Sequence, residues 1–470
     1  MDDSTVDVDV LVIGSGVAGL SAALSAREAG AERVVVLEAE RVVGGSTRLS
    51  TGIVMGAGSR AQSRAGVEDD ADAYYNDYMN ANEWRLPGGV VRAMTAASGE
   101  TLDWIEDHGV RYHPGLVRGG SENTPRCVAV VGGGEGLVAA LHRAARDAGV
   151  DIVLDQRVTR LLVRDERVCG VAVGDQVITA DAVVVASGGI GASRERLEQC
   201  FPEQMAEAGS WHWYIGSDGA RGDHLAFAEQ VGADITGVVG LRLLHPGFAQ
   251  TLESYIPGWQ VLVDREGRRF VDESAPYGIL DRALGAHGGR AFFVFDRQAV
   301  DEELTGTSAY RQTYPEDPDR RSPNWNPAMI AEQVEAGRIA RGDTVEEVAT
   351  ALGIDPVALS DTVRHYNEGA DRGVDRWGKG PAYLRPLLHP PFHGAEVRLA
   401  TLCWTGTGLR IDDRARVLDG RGDVVPGLWA AGESSGGPMG EVYVGSGGSI
   451  ANGAIFGRIA GREAARARPR

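Results

Sequence analysis

Four residues near the start of the chain have the types and spacing needed to hold a dinucleotide. Gly14, Gly16 and Gly19 form a G-x-G-x-x-G run, and Glu38 follows nineteen residues after the last of them. In such a run the first glycine permits a tight turn, the second lets backbone approach a pyrophosphate, and the third permits close helix–strand packing. A helix that starts there faces the phosphates with its partially positive end. A carboxylate at the position of Glu38 suits the ribose hydroxyls. The elements required to position these groups are present in order. A β-branched run from Val8 precedes the glycines, an Ala-rich helical stretch follows them, and a second strand, Val34 to Leu37, ends at Glu38. Ala18 and Ala39 are small neighbours within the same expected site. NAD and FAD share this fingerprint.

The next segments separate the two cofactors. Gly44-Gly45-Ser46-Thr47 and Ser50-Thr51-Gly52 continue from the acid-bearing strand. Small residues there let a second stretch of backbone run along a long dinucleotide towards its ring, and the loop resembles that of FAD-binding flavoproteins. Asp181 to Val185 reads as a buried strand ending in Ala186-Ser187-Gly188-Gly189, similar to the second glycine-rich turn of those proteins. Pro426 to Glu433, with Gly432 and Glu433 at its end, resembles their flavin-contact strand. Four matching segments in order point to FAD, with Val158, Asp218, Gly448, Ser449 and Ile450 completing the expected cofactor set. No histidine lies between Gly44 and Gly58, so a non-covalent flavin is expected.

Composition limits the alternatives. Glycine accounts for 65 of 470 residues, about twice the usual share of roughly 7%, and falls in short clusters beside apolar runs. A backbone that must approach a large ligand closely has this character. The formal charge of -19 argues against a nucleic-acid phosphate backbone as partner, which calls for a basic footprint. The acidic stretch Met1 to Asp9 lacks the basic region of a signal peptide, and no apolar run approaches the roughly 18 residues of a spanning helix. Cys127, Cys169, Cys200 and Cys403 are far apart, without C-x-x-C. The expectation is a reduced, cytoplasmic protein without metal or haem. Its single lysine is Lys379.

Over nearly its whole length the chain resembles the fumarate reductase/succinate dehydrogenase flavoprotein superfamily. The resemblance implies an α/β fold: a Rossmann-like, glutathione-reductase-type FAD-binding domain with an inserted α+β cap. The FAD-binding parts are expected at residues 1–237 and 387–470. The cap, richer in aromatics and prolines, is expected at 238–386, with a polar loop at Glu316–Pro327. Dicarboxylate enzymes of the superfamily carry an Arg where Tyr443 to Ser449 stands, and a His where Leu402 to Gly406 stands; neither is present here. Arginine forks match carboxylates geometrically, so their loss argues against succinate or fumarate.

The replacements resemble the 3-ketosteroid dehydrogenase branch, Δ4-(5α) or Δ1. That resemblance implies that Tyr443 and the Gly447 amide hold a substrate ketone oxygen. It also implies that Tyr277, which follows Arg269-Phe270-Val271-Asp272-Glu273, is the base; Tyr112 is a candidate assisting tyrosine. The expected activity is desaturation of a cyclic apolar ketone, with an external electron acceptor. The reverse reaction, reduction of an enone, and a flavin electron-transfer subunit are the alternatives. Taken alone, Tyr443 reads equally as a packing residue with a satisfied hydroxyl, Tyr277 as a turn residue after Pro276, and His393 as structural.

Overall fold

The computed structural model describes residues 7–249, 256–301 and 324–467, so the stretch expected as a polar loop lies outside the described residues up to 323. The chain divides into two compact units. One comprises residues 1–201, 214–241 and 403–470; the other comprises 202–213 and 242–402.

The first unit is built on a largely parallel sheet. Val8–Ile13 lies between Val34–Leu37 and Gln176–Val185, with Asp151–Val153 beyond the former and Val424–Ala430 beyond the latter. Val8–Ile13 is buried throughout, as a strand covered on both faces must be. The registers bring the carboxyl ends level: Ile13 sits opposite Leu37 and Val185, and Val185 opposite Ala430. The backbone continues the ladder one step further, with Gly14 N–H donating to Leu37, Ala186 N–H to Ile13 and Ala431 N–H to Val185. The residues that follow these strands therefore emerge along one sheet edge, where open α/β sheets bind ligands.

Helix Val17–Glu28 packs against the last long helix, Gly448–Arg466. Gly453 meets the Val17 side chain, and at Gly457 and Gly461 the contact is backbone to backbone. A Cβ on Gly457 would lie 2.3 Å from the Ala18 carbonyl oxygen, and one on Gly461 2.0 Å from that of Ala22. The contacts advance along both helices together, so the helices run parallel and their N-termini lie at the same end.

The second unit carries an antiparallel sheet in which Arg290–Asp296 pairs with Val261–Val263 on one side and with Phe392–Trp404 on the other. Strand alternation sends Phe293 and Phe295 into one core with Leu280, Leu284 and Trp325. Phe292 and Val294 enter the opposite core with Leu359, Val363 and Tyr366. The segment read from sequence as 238–386 and the compact unit differ at their far edge. Residues 392–398 pair along the whole of Arg290–Asp296, which carries this unit to residue 402.

A buried ionic cluster fixes the loop that precedes Tyr277. Glu273 receives a forked pair of hydrogen bonds from Arg269, 2.8 Å each, and lies 3.2 Å from Lys379 Nζ. Arg269 also pairs with Asp375, and Lys379 Nζ donates to the Gln260 carbonyl at 2.9 Å. Two cations face two carboxylates, so the cluster is balanced; its lysine and Glu273 are fully enclosed. Burial holds the Lys379 amine below its ordinary pKa, opposed by the charge of Glu273. No helix among the described residues is long and apolar enough to cross a membrane.

Two substitutions test this packing. Gly457→Val forces the helices apart and is expected to lower unfolding free energy by about 1–3 kcal/mol or more in guanidinium titrations. Gly89→Ala, where an added Cβ meets nothing within 4 Å, is expected to be neutral or slightly stabilising. In the second unit, Lys379→Met leaves Glu273 short of a partner and is expected to cost about 3–5 kcal/mol.

Candidate active site

The turn after the first strand is shaped around absent side chains. Gly14 has φ +102, and a Cβ there would lie 2.3 Å from the Ala186 carbonyl oxygen. A Cβ on Gly19 would fall 1.9 Å from the Gly14 carbonyl oxygen, so this glycine serves internal packing. Gly16 differs. Its Cβ would come no nearer than 3.6 Å to any atom, the Thr47 Oγ1, so the space before the helix N-terminus is open to a ligand. Thr47 Oγ1 accepts the Val17 N–H at 3.1 Å, and Ser15 Oγ accepts the Gly44 N–H at 3.0 Å. These bonds join the glycine turn to the Gly44–Thr47 loop.

Glu38 is buried and accepts the Ser15 N–H at 2.9 Å, the Ser15 hydroxyl at 2.5 Å and the Glu40 N–H at 2.9 Å. Val158, also buried, follows the Asp155–Gln156 stretch, whose amides donate to the Glu40 and Glu38 carbonyls. Ala39 is half-buried beside them. At the other end of the edge, Ser434 Oγ donates to the Gly188 carbonyl and meets Ser187 Oγ at 3.3 Å. A Cβ on Gly432 would touch that of Ala18 at 3.0 Å.

Glu433 is the chemically unusual member. The residue is half-buried, but its Oε2 is enclosed and has no hydrogen-bond partner among the described residues. A Cβ on Gly189 would lie 2.4 Å from that oxygen. Burial raises its pKa to about 8, with the Gly189 and Thr405 amides opposing. A buried polar atom without a partner is costly. One lying just past the end of Val424–Ala430 fits a hydroxyl-bearing ligand at that sheet edge, and with the Gly16 space and Glu38 it matches the requirements of FAD.

Tyr443 and Gly447 stand at the N-terminus of Gly448–Arg466. The Tyr443 hydroxyl accepts the Ser449 N–H at 3.1 Å and donates to Ser449 Oγ at 3.3 Å; its ring centroid is 5.7 Å from that of Trp404. Burial pushes its pKa up to about 12, against the lowering effect of Ser449, so the phenol stays protonated near neutrality. Gly447 caps the helix with φ +87, and its own N–H has no hydrogen-bond acceptor among the described residues. Gly448, Ser449 and Ile450 open the helix. The Tyr443 to Gly447 stretch is held by the Gly119–Ser121 backbone, with Ser121 N–H donating to Val444 and Ser446 N–H to Gly119.

The remaining expected residues fall as follows. Tyr277 opens helix Tyr277–Gly285 of the second unit, buried, at the end of the loop fixed by Glu273. Tyr112 donates its hydroxyl to the Leu102 carbonyl at 2.7 Å. The N-terminal-half tyrosine beside Tyr443 is instead Tyr78, fully buried, with its hydroxyl on Met439 sulfur at 3.7 Å; burial, and then the nearby Tyr443, disfavour its ionisation. Asp218 is exposed, whereas Ser217 ties this turn to the cradle through Ser46 Oγ at 3.0 Å and Glu40 at 2.6 Å. Ser50 Oγ donates to Thr47, while Thr51 and Gly52 lead into strand Ile53–Met55. Ser15, Ser217 and Tyr78 were not singled out from sequence. Ser15 was findable, lying inside the glycine triplet, but the partners of the other two are remote in sequence.

The family model described as FAD binding domain matches residues 9–450. The fumarate reductase (cytochrome) of Shewanella frigidimarina is 29% identical over 475 residues, covering 98% of this chain and 77% of that protein. The 3-oxosteroid 1-dehydrogenase of Mycolicibacterium smegmatis is 27% identical, covering 97% and 96%. Among solved structures, the 3-ketosteroid-Δ4-(5α)-dehydrogenase from Rhodococcus jostii RHA1, in complex with 4-androstene-3,17-dione, superposes with a TM-score of 0.79 at 26% identity, covering 99% and 98%.

Glu433 generates a pH signature. Its folded pKa of about 8 lies above the usual unfolded carboxyl value of about 4.3. The folded state therefore binds more protons than the unfolded one between those values, and stability falls as pH rises through that window. In FAD-free protein, Glu433→Gln is expected to flatten this fall, measured by denaturant unfolding from pH 5 to about 8.5.

Proposed function

The chain belongs to the FAD-binding-domain flavoprotein family, and on that premise we propose that it is an oxidoreductase desaturating a cyclic apolar ketone of the 3-ketosteroid class. FAD, when bound, supplies the two-electron acceptor. The protein's own groups supply polarisation, proton transfer and orientation.

The observation that carries this reading is the state of Tyr443. Its phenol accepts a backbone N–H from Ser449, and burial keeps it protonated. Accepting a hydrogen bond strengthens a hydroxyl as a donor. Its proton, donated to Ser449 Oγ at 3.3 Å, would be redirected to a ketone oxygen, alongside the unengaged Gly447 N–H. Two such donors stabilise charge developing on the oxygen as an enolate forms. The Tyr443–Ser449 stretch holds neither Arg nor His. Arg126, buried below the adjoining loop, is committed to Asp69 and Asp77 at 2.9 Å each. Neither feature supplies a clamp for a dicarboxylate.

Tyr277 takes the α-proton in this scheme. A phenol is a weak base at its ordinary pKa of about 10, so it requires surroundings that favour phenolate. General-base assistance is worth roughly 10²–10⁴ in rate. Run in reverse, the same groups deliver a proton to an enone, and the likeness to a fumarate reductase at 29% identity favours this as the second reading.

Anaerobic titration with saturated and 4-ene 3-ketosteroids, followed by flavin bleaching, tests the proposal. Bleaching by one class supports desaturation and separates Δ4 from Δ1 chemistry. Reoxidation of the reduced protein by an enone panel, without bleaching, moves the assignment to the reductase; silence in both directions sinks the ketone. Tyr443→Phe is expected to slow substrate-dependent flavin reduction by about 10²–10³-fold.

A further inference from the structure

One aromatic side chain of the first unit lies outside every role described so far. Tyr214 sits on two glycines. A Cβ on Gly191 would fall 2.2 Å from its ring, and one on Gly216 would fall 2.1 Å from its hydroxyl. Neither position can carry a side chain while the ring occupies this place. The Tyr214 hydroxyl lies 3.3 Å from Ser46 Oγ, which also accepts the Ser217 N–H at 3.0 Å. Ser46 belongs to the loop joined to the glycine-rich turn through Gly44 and Ser15. Tyr214 is also within electrostatic reach of Glu433; burial, and then Glu433 when ionised, disfavour the phenolate. A half-buried tyrosine that meets a hydroxyl of the cofactor loop and feels Glu433 is placed beside the expected cofactor site.

The sheet says which part of the cofactor meets Tyr214. Glu38 follows Val34–Leu37, and Glu433 follows Val424–Ala430, with two strands between them. Three strand spacings of about 4.8 Å separate the ends of these two strands by about 14 Å. The ribose-binding acid thus marks one end of an extended dinucleotide, and Glu433 with Tyr214 marks the other.

We propose that Tyr214 is an FAD-contact residue, packing against the ring-bearing half of the cofactor and held there by Gly191, Gly216 and Ser46. The inference rests on FAD alone and is independent of the substrate assignment.

Tyrosine in contact with an isoalloxazine quenches its fluorescence by electron transfer, which gives a readout separate from turnover. In the FAD-loaded protein, Tyr214→Leu is expected to lengthen the flavin fluorescence lifetime several-fold and to weaken FAD binding about tenfold. Tyr214→Phe, which keeps the ring and loses the bond to Ser46, is expected to lengthen the lifetime with little loss of FAD. Gly216→Ala displaces the native tyrosine and is expected to reproduce the Tyr214→Leu lifetime. Unchanged lifetime and absorption in Tyr214→Phe and Gly216→Ala would overturn the proposal and leave Tyr214 as a packing residue. If Tyr214→Leu fails to fold, the other two variants still decide.

Discussion

The close approach of the first and last long helices is the constraint on which the first unit depends. Gly453, Gly457 and Gly461 bring helix Gly448–Arg466 onto the backbone of Val17–Glu28, with no room for a Cβ at the contact. Because the helices run parallel, two N-termini open at the same end. One begins behind Gly16, where space is left for a ligand; the other begins at Gly448, where Tyr443 and Gly447 stand. Each N-terminus carries unsatisfied N–H groups and a partial positive charge. Cofactor binding and carbonyl polarisation thus draw on the same physical resource, provided twice, and a single small-residue stripe sets the distance between them.

Burial acts on the charged groups of the two units with opposite results, and partners decide which. In the second unit Glu273 is more enclosed than Glu433, yet Arg269 and Lys379 keep it ionised, with its pKa held below the ordinary value. Glu433 has only backbone amides to oppose desolvation, and its pKa rises to about 8. The first arrangement rigidifies a loop, the one leading to Tyr277. The second leaves a buried oxygen without a protein partner among the described residues. Tyr443 follows the same logic as a donor: enclosure keeps its proton in place, and Ser449 orients it.

Much of the cofactor site is legible in sequence because its logic is local. The strand, the three glycines, the helix and Glu38 lie within one βαβ unit; Gly19 answers a constraint set by Gly14, and Gly16 one set by the ligand, while only Gly14 also faces a remote carbonyl, that of Ala186. The order of the later glycine-rich segments likewise reads along the chain, since parallel strands must each end at the same sheet edge. The segment Tyr443-Val-Gly-Ser-Gly447 carries its meaning in its spacing.

What the tertiary structure alone decided are the pairings across long separations. Tyr112 looked like a candidate partner for Tyr443, but its hydroxyl is spent on Leu102, and Tyr78 takes the place beside Tyr443 through contacts more than 350 residues away in sequence. Asp218 carries the charge a sequence reader looks for, yet the neighbouring Ser217 makes the bonds to Ser46 and Glu40. The single lysine declares nothing until Glu273 is seen 3.2 Å from it, and residues 392–402 read as a return to the first unit until their pairing with Arg290–Asp296 is seen. The sequence by itself determined the dinucleotide fingerprint and its cofactor, because those depend on backbone conformation within short stretches. Which hydroxyl, carboxylate or ring faces which was settled only by packing, because such contacts depend on how distant segments close on one another.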